Sequence, residues 1–210
     1  MIPTAYRRVV LVRRPPGEPT GSDFRIEQVP MPEPGLRQIL VRNIYMSLDP
    51  YMRGRMRDTK SYAAPVEIGE VMTGGTVGEV VASNHPELSR WAISSRIGWG
   101  WQEYGLGPSA AARKVDPALA PISTANGVLG MPGMTAYFGL FEVGRPKPGE
   151  TVVVSAASGA VGQIVGQLAK IAGCRAVGIA GGPRNVLSSR TLSALMPAST
   201  TRRATTSTRR

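Results

Sequence analysis

The chain has 210 residues, enough for one large domain or two small ones with a real core, and its 42% hydrophobic content holds no run long enough to cross a bilayer. A formal net charge of +11 invites a nucleic-acid partner, but six of the 25 basic residues fall after Gly182, where there is no acid, and the +5 left over the first 182 residues is scattered. One cysteine, Cys174, and one histidine, His85, leave no internal disulfide and argue against a closed zinc site; with no signal-peptide pattern at the N-terminus, they point to a reducing, cytoplasmic setting. From residue 1 to about 125 the chain reads as short strands, at 7–12, 24–29, 38–44, 77–82 and 111–115, separated by Pro15-Pro16-Gly17, the Pro-rich stretch 30–35 and Gly74-Gly75. This pattern predicts an all-β domain, a partial barrel. Residues 122–143 change character: Leu129, Met134, Ala136, Tyr137, Phe138, Leu140 and Phe141 predict a helical stretch joining two domains.

The most informative segment comes next. Thr151 to Ser155 are β-branched or small, behind a Pro148-Gly149-Glu150 turn, and predict a strand. Ala157, Gly159 and Gly162 follow at the spacing of a G-x-G-x-x-G fingerprint, with Ala in the first place. Val161, Ile164, Val165, Leu168 and Ala169 then recur at helical spacing, Gly173 is placed to stop the helix, and residues 175–180 form a second strand. Residues without a bulky Cβ let a backbone approach a diphosphate, and the bare N–H groups of a helix start stabilise its charge. Strand, turn, helix and strand together predict a β-α-β dinucleotide site with Ala157, Ser158, Gly159, Ala160, Val161 and Gly162 around the diphosphate. A tight turn that merely packs helix on sheet is the plain alternative. Cys174, at the start of the second strand, reads as a small core residue.

Five segments in order carry a family resemblance: Ser47-Leu-Asp-Pro-Tyr-Met-Arg53, Gly69-Glu-Val-Met-Thr-Gly-Gly-Thr-Val-Gly78, residues 98–104, Gly130-Met-Pro-Gly-Met-Thr-Ala-Tyr-Phe-Gly139, and residues 152–162. Over residues 5–182 the chain resembles the medium-chain dehydrogenase/reductases, in the zinc-free, NADP-dependent branch of alkenal, prostaglandin and curcumin reductases. The resemblance implies an α/β protein. A co-chaperonin-like partial β-barrel substrate domain would span residues 1–125, and an interdomain helix with the first β-α-β unit of a Rossmann domain residues 126–183. It also implies hydride transfer from NADPH to an α,β-unsaturated aldehyde or ketone. Tyr51 and Tyr62 match positions where that family lines its substrate pocket; core or turn aromatics are the alternative. Met131, Met134 and Tyr137 could approach a nicotinamide, or be an ordinary helical core stripe. Arg53, Arg55 and Arg57 read as a solvated face. The stretch Ala180-Gly181-Gly182 adds no acid that would repel a ribose 2′-phosphate, which favours NADP over NAD, and Gly181 and Gly182 join the cofactor set. No catalytic residue is assigned, and no metal is expected.

The resemblance stops near Gly182. Of the last 28 residues eleven are Ser or Thr and six are Arg, which reads as a disordered basic tail, residues 184–210. Shifting the codons of Ser193 to Thr201 by one base permits Gly-Phe-Asp-Ala-Cys-Ile-Asp-Tyr-Lys, which is similar to the family's own continuation. We therefore expect a frameshift near Arg184-Asn185 and a truncated cofactor domain. A compensated shift between about Ser89 and Ile97 is expected on the same grounds, leaving Trp91 in what should be a polar turn. Three readings follow: a double-bond reductase, a truncated and impaired descendant of one with its second Rossmann strand left as an open edge, or a basic-tailed binder of acidic surfaces or nucleic acid; the first is favoured for the ancestry and the second for this chain, with weak or undetectable NADPH binding expected. The partners expected are a small enone or enal and no membrane; family dimers are doubtful in a chain this short.

Overall fold

The computed structural model describes residues 1–85, 93–97, 99–182 and 196–200. The chain divides into two units, Met1–Asn126 and Gly127–Arg210. In the first, β1 (Ala5–Leu11) pairs antiparallel with β2 (Phe24–Pro30). Strand β3 (Gln38–Met46) is followed by a short helix α1 (Tyr51–Arg55), then by β4 (Gly75–Ser83), β5 (Ile93–Ile97), β6 (Tyr104–Pro108) and β7 (Arg113–Val115). These strands form one antiparallel sheet in the order β6-β3-β4-β5-β7.

Burial explains the pattern of β3. Ile39, Leu40 and Val41 are consecutive and all buried, because this half of the strand lies between β4 and β6 with both faces covered. Pairing with β6 ends at Arg42, and beyond it Ile44, Tyr45 and Met46 are exposed. The β3–β4 register shifts twice, and in this irregular stretch a Cβ on Gly78 would lie 2.1 Å from the Arg42 carbonyl oxygen, so only glycine fits. A second cluster, Leu11, Met52, Met56, Val66 and Met72, packs Phe24, Tyr51 and Trp101 around α1.

Two strands and α1 escape the sequence reading. Strand β6 reads Tyr-Gly-Leu-Gly-Pro, a run of breakers, yet β3 holds it; a Cβ on Gly105 would meet the Trp99 ring at 2.8 Å. Strand β5 falls in the segment expected to be shifted in frame, and it pairs through its backbone with β4 and β7, which asks little of side-chain identity. Trp91 lies outside the described residues. Helix α1 has no apolar period long enough to read; it starts at Pro50, whose φ of −56° already suits a helix.

In the second unit the expected single helical stretch is broken. A 3-10 turn (Ile122–Asn126) closes the first unit, and α2 (Met131–Tyr137) follows with Pro132 in its first turn, running directly into a π-helix (Phe138–Gly144). The glycines at 127 and 130 interrupt the run, and the Gly133 N–H is turned onto the Gly127 carbonyl. Strand β8 (Thr151–Val154), helix α3 (Ala160–Ile171) and strand β9 (Arg175–Ala180) then form the β-α-β unit, β8 and β9 parallel with Thr151 opposite Arg175. Val154, Ala157, Ala169, Cys174 and Ala176 make its core with Leu140, and Cys174 packs there with its thiol on the Lys147 carbonyl.

One expectation about this sheet is overturned. Residues 196–200, placed by composition in a structureless tail, form β10 (Met196–Thr200), parallel to β9, in a sheet ordered β10-β9-β8. Strand β9 is therefore central rather than an open edge. Backbone groups alone make the pairing, and its register breaks between Met196 and Ser199, around Pro197, which has no N–H to give. The rest of the expected tail lies outside the described residues. Among those residues no helix is long and apolar enough to cross a membrane, and no cluster of His, Cys, Asp and Glu could hold a metal ion.

The β1–β2 connection rests on a buried carboxylate. Asp23 accepts the Thr20 N–H at 2.8 Å, the Thr20 hydroxyl at 3.1 Å and Arg13 Nε at 2.8 Å. The Thr20 N–H and the Arg13 guanidinium hold its pKa below 3.8, against the smaller effect of desolvation. A lowered folded-state pKa contributes stability that is complete above the unfolded value and is lost as pH falls through the folded one. Asp23→Asn should therefore lower the melting temperature at neutral pH, with the gap to the parent closing as pH drops below about 3.8 in a melting series.

Candidate functional site

The turn between β8 and α3 is built from small residues because the helix begins almost on top of the strand it follows. Ala156 takes a left-handed conformation (φ 50°), the Ala157 N–H donates to the Ile179 carbonyl at 3.0 Å, and the Gly159 N–H returns to the Ala156 carbonyl at 2.8 Å. A Cβ on Gly162 would stand 2.4 Å from the Ala156 oxygen and 2.8 Å from Ala157 Cα. Any side chain there would push the helix start off the strand end.

That geometry leaves the start of α3 bare. Gly159 is its N-cap with extended backbone and no side-chain cap, and the first turn contains no acid. The N–H groups of Ala160, Val161 and Gly162 have no acceptor among the described residues, as expected for the first turn of a helix. Ser155, Ala156, Gly159 and Ala160 are exposed, so no side chain packs over the turn. Three unsatisfied donors at the positive end of a twelve-residue helix make a site for an anionic oxygen group. Gln163 is a member the sequence did not suggest: its side-chain amide donates to the Ser158 carbonyl at 2.6 Å and braces the loop.

The other expected residues fall as follows. Ala157 is fully buried and its N–H is taken by β9, so its part is to hold the turn to the sheet rather than to face a ligand. Ser158 is half-buried and Val161 likewise. Ala180 is buried at the end of β9, Gly181 is exposed, and Gly182 has a φ of 79° that favours glycine. Arg184 lies outside the described residues.

Tyr51 and Tyr62 belong to the first unit. Tyr51 packs its ring on the Met52, Met56 and Met72 cluster, while its hydroxyl oxygen is buried without a hydrogen-bond partner. Burial first, and then the charge of Asp49, raise its pKa above 10.0; Arg55 opposes the shift, and nearby Thr73 opposes it weakly without completing a hydrogen bond. The hydroxyl is therefore a protonated donor without an acceptor. Tyr62 is 86% exposed and near enough for its charge to reach Tyr51. Sequence reasoning missed the support beneath: Ser47 Oγ donates to Asp49 at 2.6 Å, and Asn126 Nδ2 reaches the Tyr45 and Gly75 carbonyls at 3.4 Å each.

Two expectations are corrected. Met131, Met134 and Tyr137 are not a core stripe: all three are exposed, and Pro132, Gly133 and Ala136 form the buried face of α2. Tyr137 instead meets Phe138 and Phe141 edge-on at 5.6 and 5.1 Å. The arginines after Tyr51 are not simply a solvated face, since Arg53 holds the Pro15 and Gly17 carbonyls and Arg55 Nε is buried.

Residues 7–115 match the family model described as the N-terminal domain of oxidoreductase. The chain is 51% identical over 178 residues to the NADPH-dependent curcumin reductase of Escherichia coli (strain K12), covering 84% of this chain and 51% of that protein. It is 43% identical over 190 residues to the 2-alkenal reductase (NADP(+)-dependent) of Nicotiana tabacum, covering 86% and 54%. Among solved structures, CurA in complex with NADPH from Vibrio vulnificus superposes with a TM-score of 0.87 at 44% identity, over 94% of this chain and 58% of that one. The chain thus spans about half the length of the curated relatives it matches.

The turn makes its own prediction. Gly162→Ala should cost about 1–3 kcal/mol by overpacking against Ala156, read as a lower denaturant midpoint, whereas exposed Gly139→Ala, with nothing near its Cβ, should cost far less.

Proposed function

The chain belongs to the medium-chain dehydrogenase/reductases, and from that premise we propose that it is of their zinc-free, NADP-dependent branch and is built for NADPH-dependent reduction of the C=C bond of α,β-unsaturated aldehydes and ketones. The observation that carries the reading is the bare start of α3 over the Gly162 turn, where three N–H groups have no acceptor among the described residues and Gly159 and Ala160 are exposed. NADPH, when bound, supplies the hydride; the protein's own part is to bind, orient and polarise.

Ser158, Gly159, Ala160, Val161 and Gly162 would hold the diphosphate, with the helix dipole and the amide donors balancing its charge. At the end of β9, Gly181 and Gly182 offer no carboxylate, so a ribose 2′-phosphate meets no repulsion there. On the substrate side the Tyr51 hydroxyl, kept protonated by burial and by Asp49, would donate to the carbonyl oxygen of an enone once the side chains that cover it give way to the substrate. That bond strengthens as negative charge develops on the oxygen and so favours the transition state over the ground state. Tyr62, largely exposed, would wall the same substrate.

Titrating the full chain with NADPH and following nucleotide fluorescence should show saturable binding, and an alkyl vinyl ketone should lose its conjugated absorbance only when NADPH is present. No saturable binding would remove the basis of the reading. Tyr51→Phe keeps the ring and removes the donor. Turnover should drop about 100-fold with NADPH binding unchanged, and the melting temperature should hold or rise, because a buried unpaired hydroxyl has been removed.

A further inference from the structure

Helix α1 and the residue pair beyond it present a second set of groups that the reductase reading does not use. Arg53, in α1, and Arg57, two residues past its end, line an open cleft of about 540 Å³ with Gly17, Glu18 and Pro19. Arg53 is fixed in place: its Nη2 donates to the Pro15 carbonyl at 3.0 Å and the Gly17 carbonyl at 2.7 Å. Its Nη1 is buried and has no hydrogen-bond partner.

Some of the described arginines are neutralised and others are not. Arg7, Arg8, Arg13, Arg14, Arg25 and Arg42 each pair with a carboxylate. Neither Arg53 nor Arg57 has one within ion-pair distance among the described residues, although Glu18 lines the same cleft. A partly desolvated guanidinium held only by carbonyls, with a second cation lining the same cleft, is costly unless an anion completes it. With Arg53 Nη2 spent on two carbonyls, its remaining donors and the fork of Arg57 bring two positive charges, which match the oxygens and double charge of a phosphate better than the single charge of a carboxylate.

We propose that the cleft between Arg53, Arg57 and the Gly17–Pro19 turn is a binding site for a phosphate group, distinct from the α3 turn and independent of the reductase reading. Arg53, pre-fixed by its carbonyl partners, sets the position; Arg57, with no described side-chain partner, closes on the ligand. Glu18 opposes binding and keeps the affinity modest.

The test is an NMR titration of the arginine Nε–H signals of the full chain with inorganic phosphate at constant ionic strength, the signals assigned by Arg53→Lys and Arg57→Lys. The Arg53 and Arg57 signals should move together to saturation. Arg57→Gln should weaken binding about tenfold, charge-matched Lys60→Gln should leave it unchanged, and Glu18→Gln should tighten it. Phosphate taken up at the α3 turn instead would leave the Arg57→Gln protein binding as tightly as the parent, which would overturn the site. No shift, a shift that never saturates, or equal loss in Arg57→Gln and Lys60→Gln would overturn the site, and acetate binding as tightly as phosphate would overturn its assignment to phosphate.

Discussion

Where β8 ends, the chain reverses within five residues and starts a helix whose first turn touches the carbonyl it has just left. The distance a Cβ on Gly162 would have to the Ala156 oxygen, 2.4 Å, states the constraint in its simplest form. Everything useful about the second unit depends on it. The close approach lets α3 lie on the sheet with Ala169 buried against Val154 and Ala176, and it lets Ala157 spend its N–H on β9. The helix start has no capping side chain because its N-cap, Gly159, carries none. The unsatisfied donors of the first turn and the tight packing at Gly162 thus meet in the same turn.

In the first unit a five-residue helix is asked to do three things at once. Met52, with Met56 just beyond the helix, faces inward and joins the core around Leu11 and Met72. Tyr51 lays its ring on the same core while its hydroxyl is cut off from water and from partners. Arg53 reaches the other way and ties down the loop that follows β1. Helical spacing separates these roles, because residues two apart cannot share a face. The Ser47–Asp49 bond and the Asn126 amide hold the approach to this helix against β4, so the position of Tyr51 is inherited from the sheet.

The elements that could be read from the chain are those whose own residues decide their state. Strands β1, β2, β3 and β4 are β-branched runs between turn residues, and β8, α3 and β9 show a change of period from two to 3.6 that needs no neighbour to be recognised. The elements that could not be read are those decided by someone else's backbone. Strand β6 is glycine-rich and would not be extended without β3; β5 and β10 lie in stretches whose composition argues for no structure, and both exist by pairing with a preformed strand. The helix expected across 122–143 failed for the converse reason, since glycines at 127 and 130 and a proline at 132 break the ladder that the apolar residues alone would have continued.

The same division holds for the sites. Sequence alone determined the turn of small residues and the absence of an acid after β9, because each follows from which atoms a residue has or lacks. Only the tertiary structure decided that the Ala157 N–H is sheet-bound while those of Ala160 to Gly162 lack an acceptor among the described residues, that the Tyr51 hydroxyl is buried with no partner, and that Arg53 lines a cleft with no carboxylate within ion-pair distance of it. Those are statements about desolvation and about which neighbours arrive from far along the chain. Solvent exposure and partnership are properties of the packed molecule, and no local pattern of residues contains them.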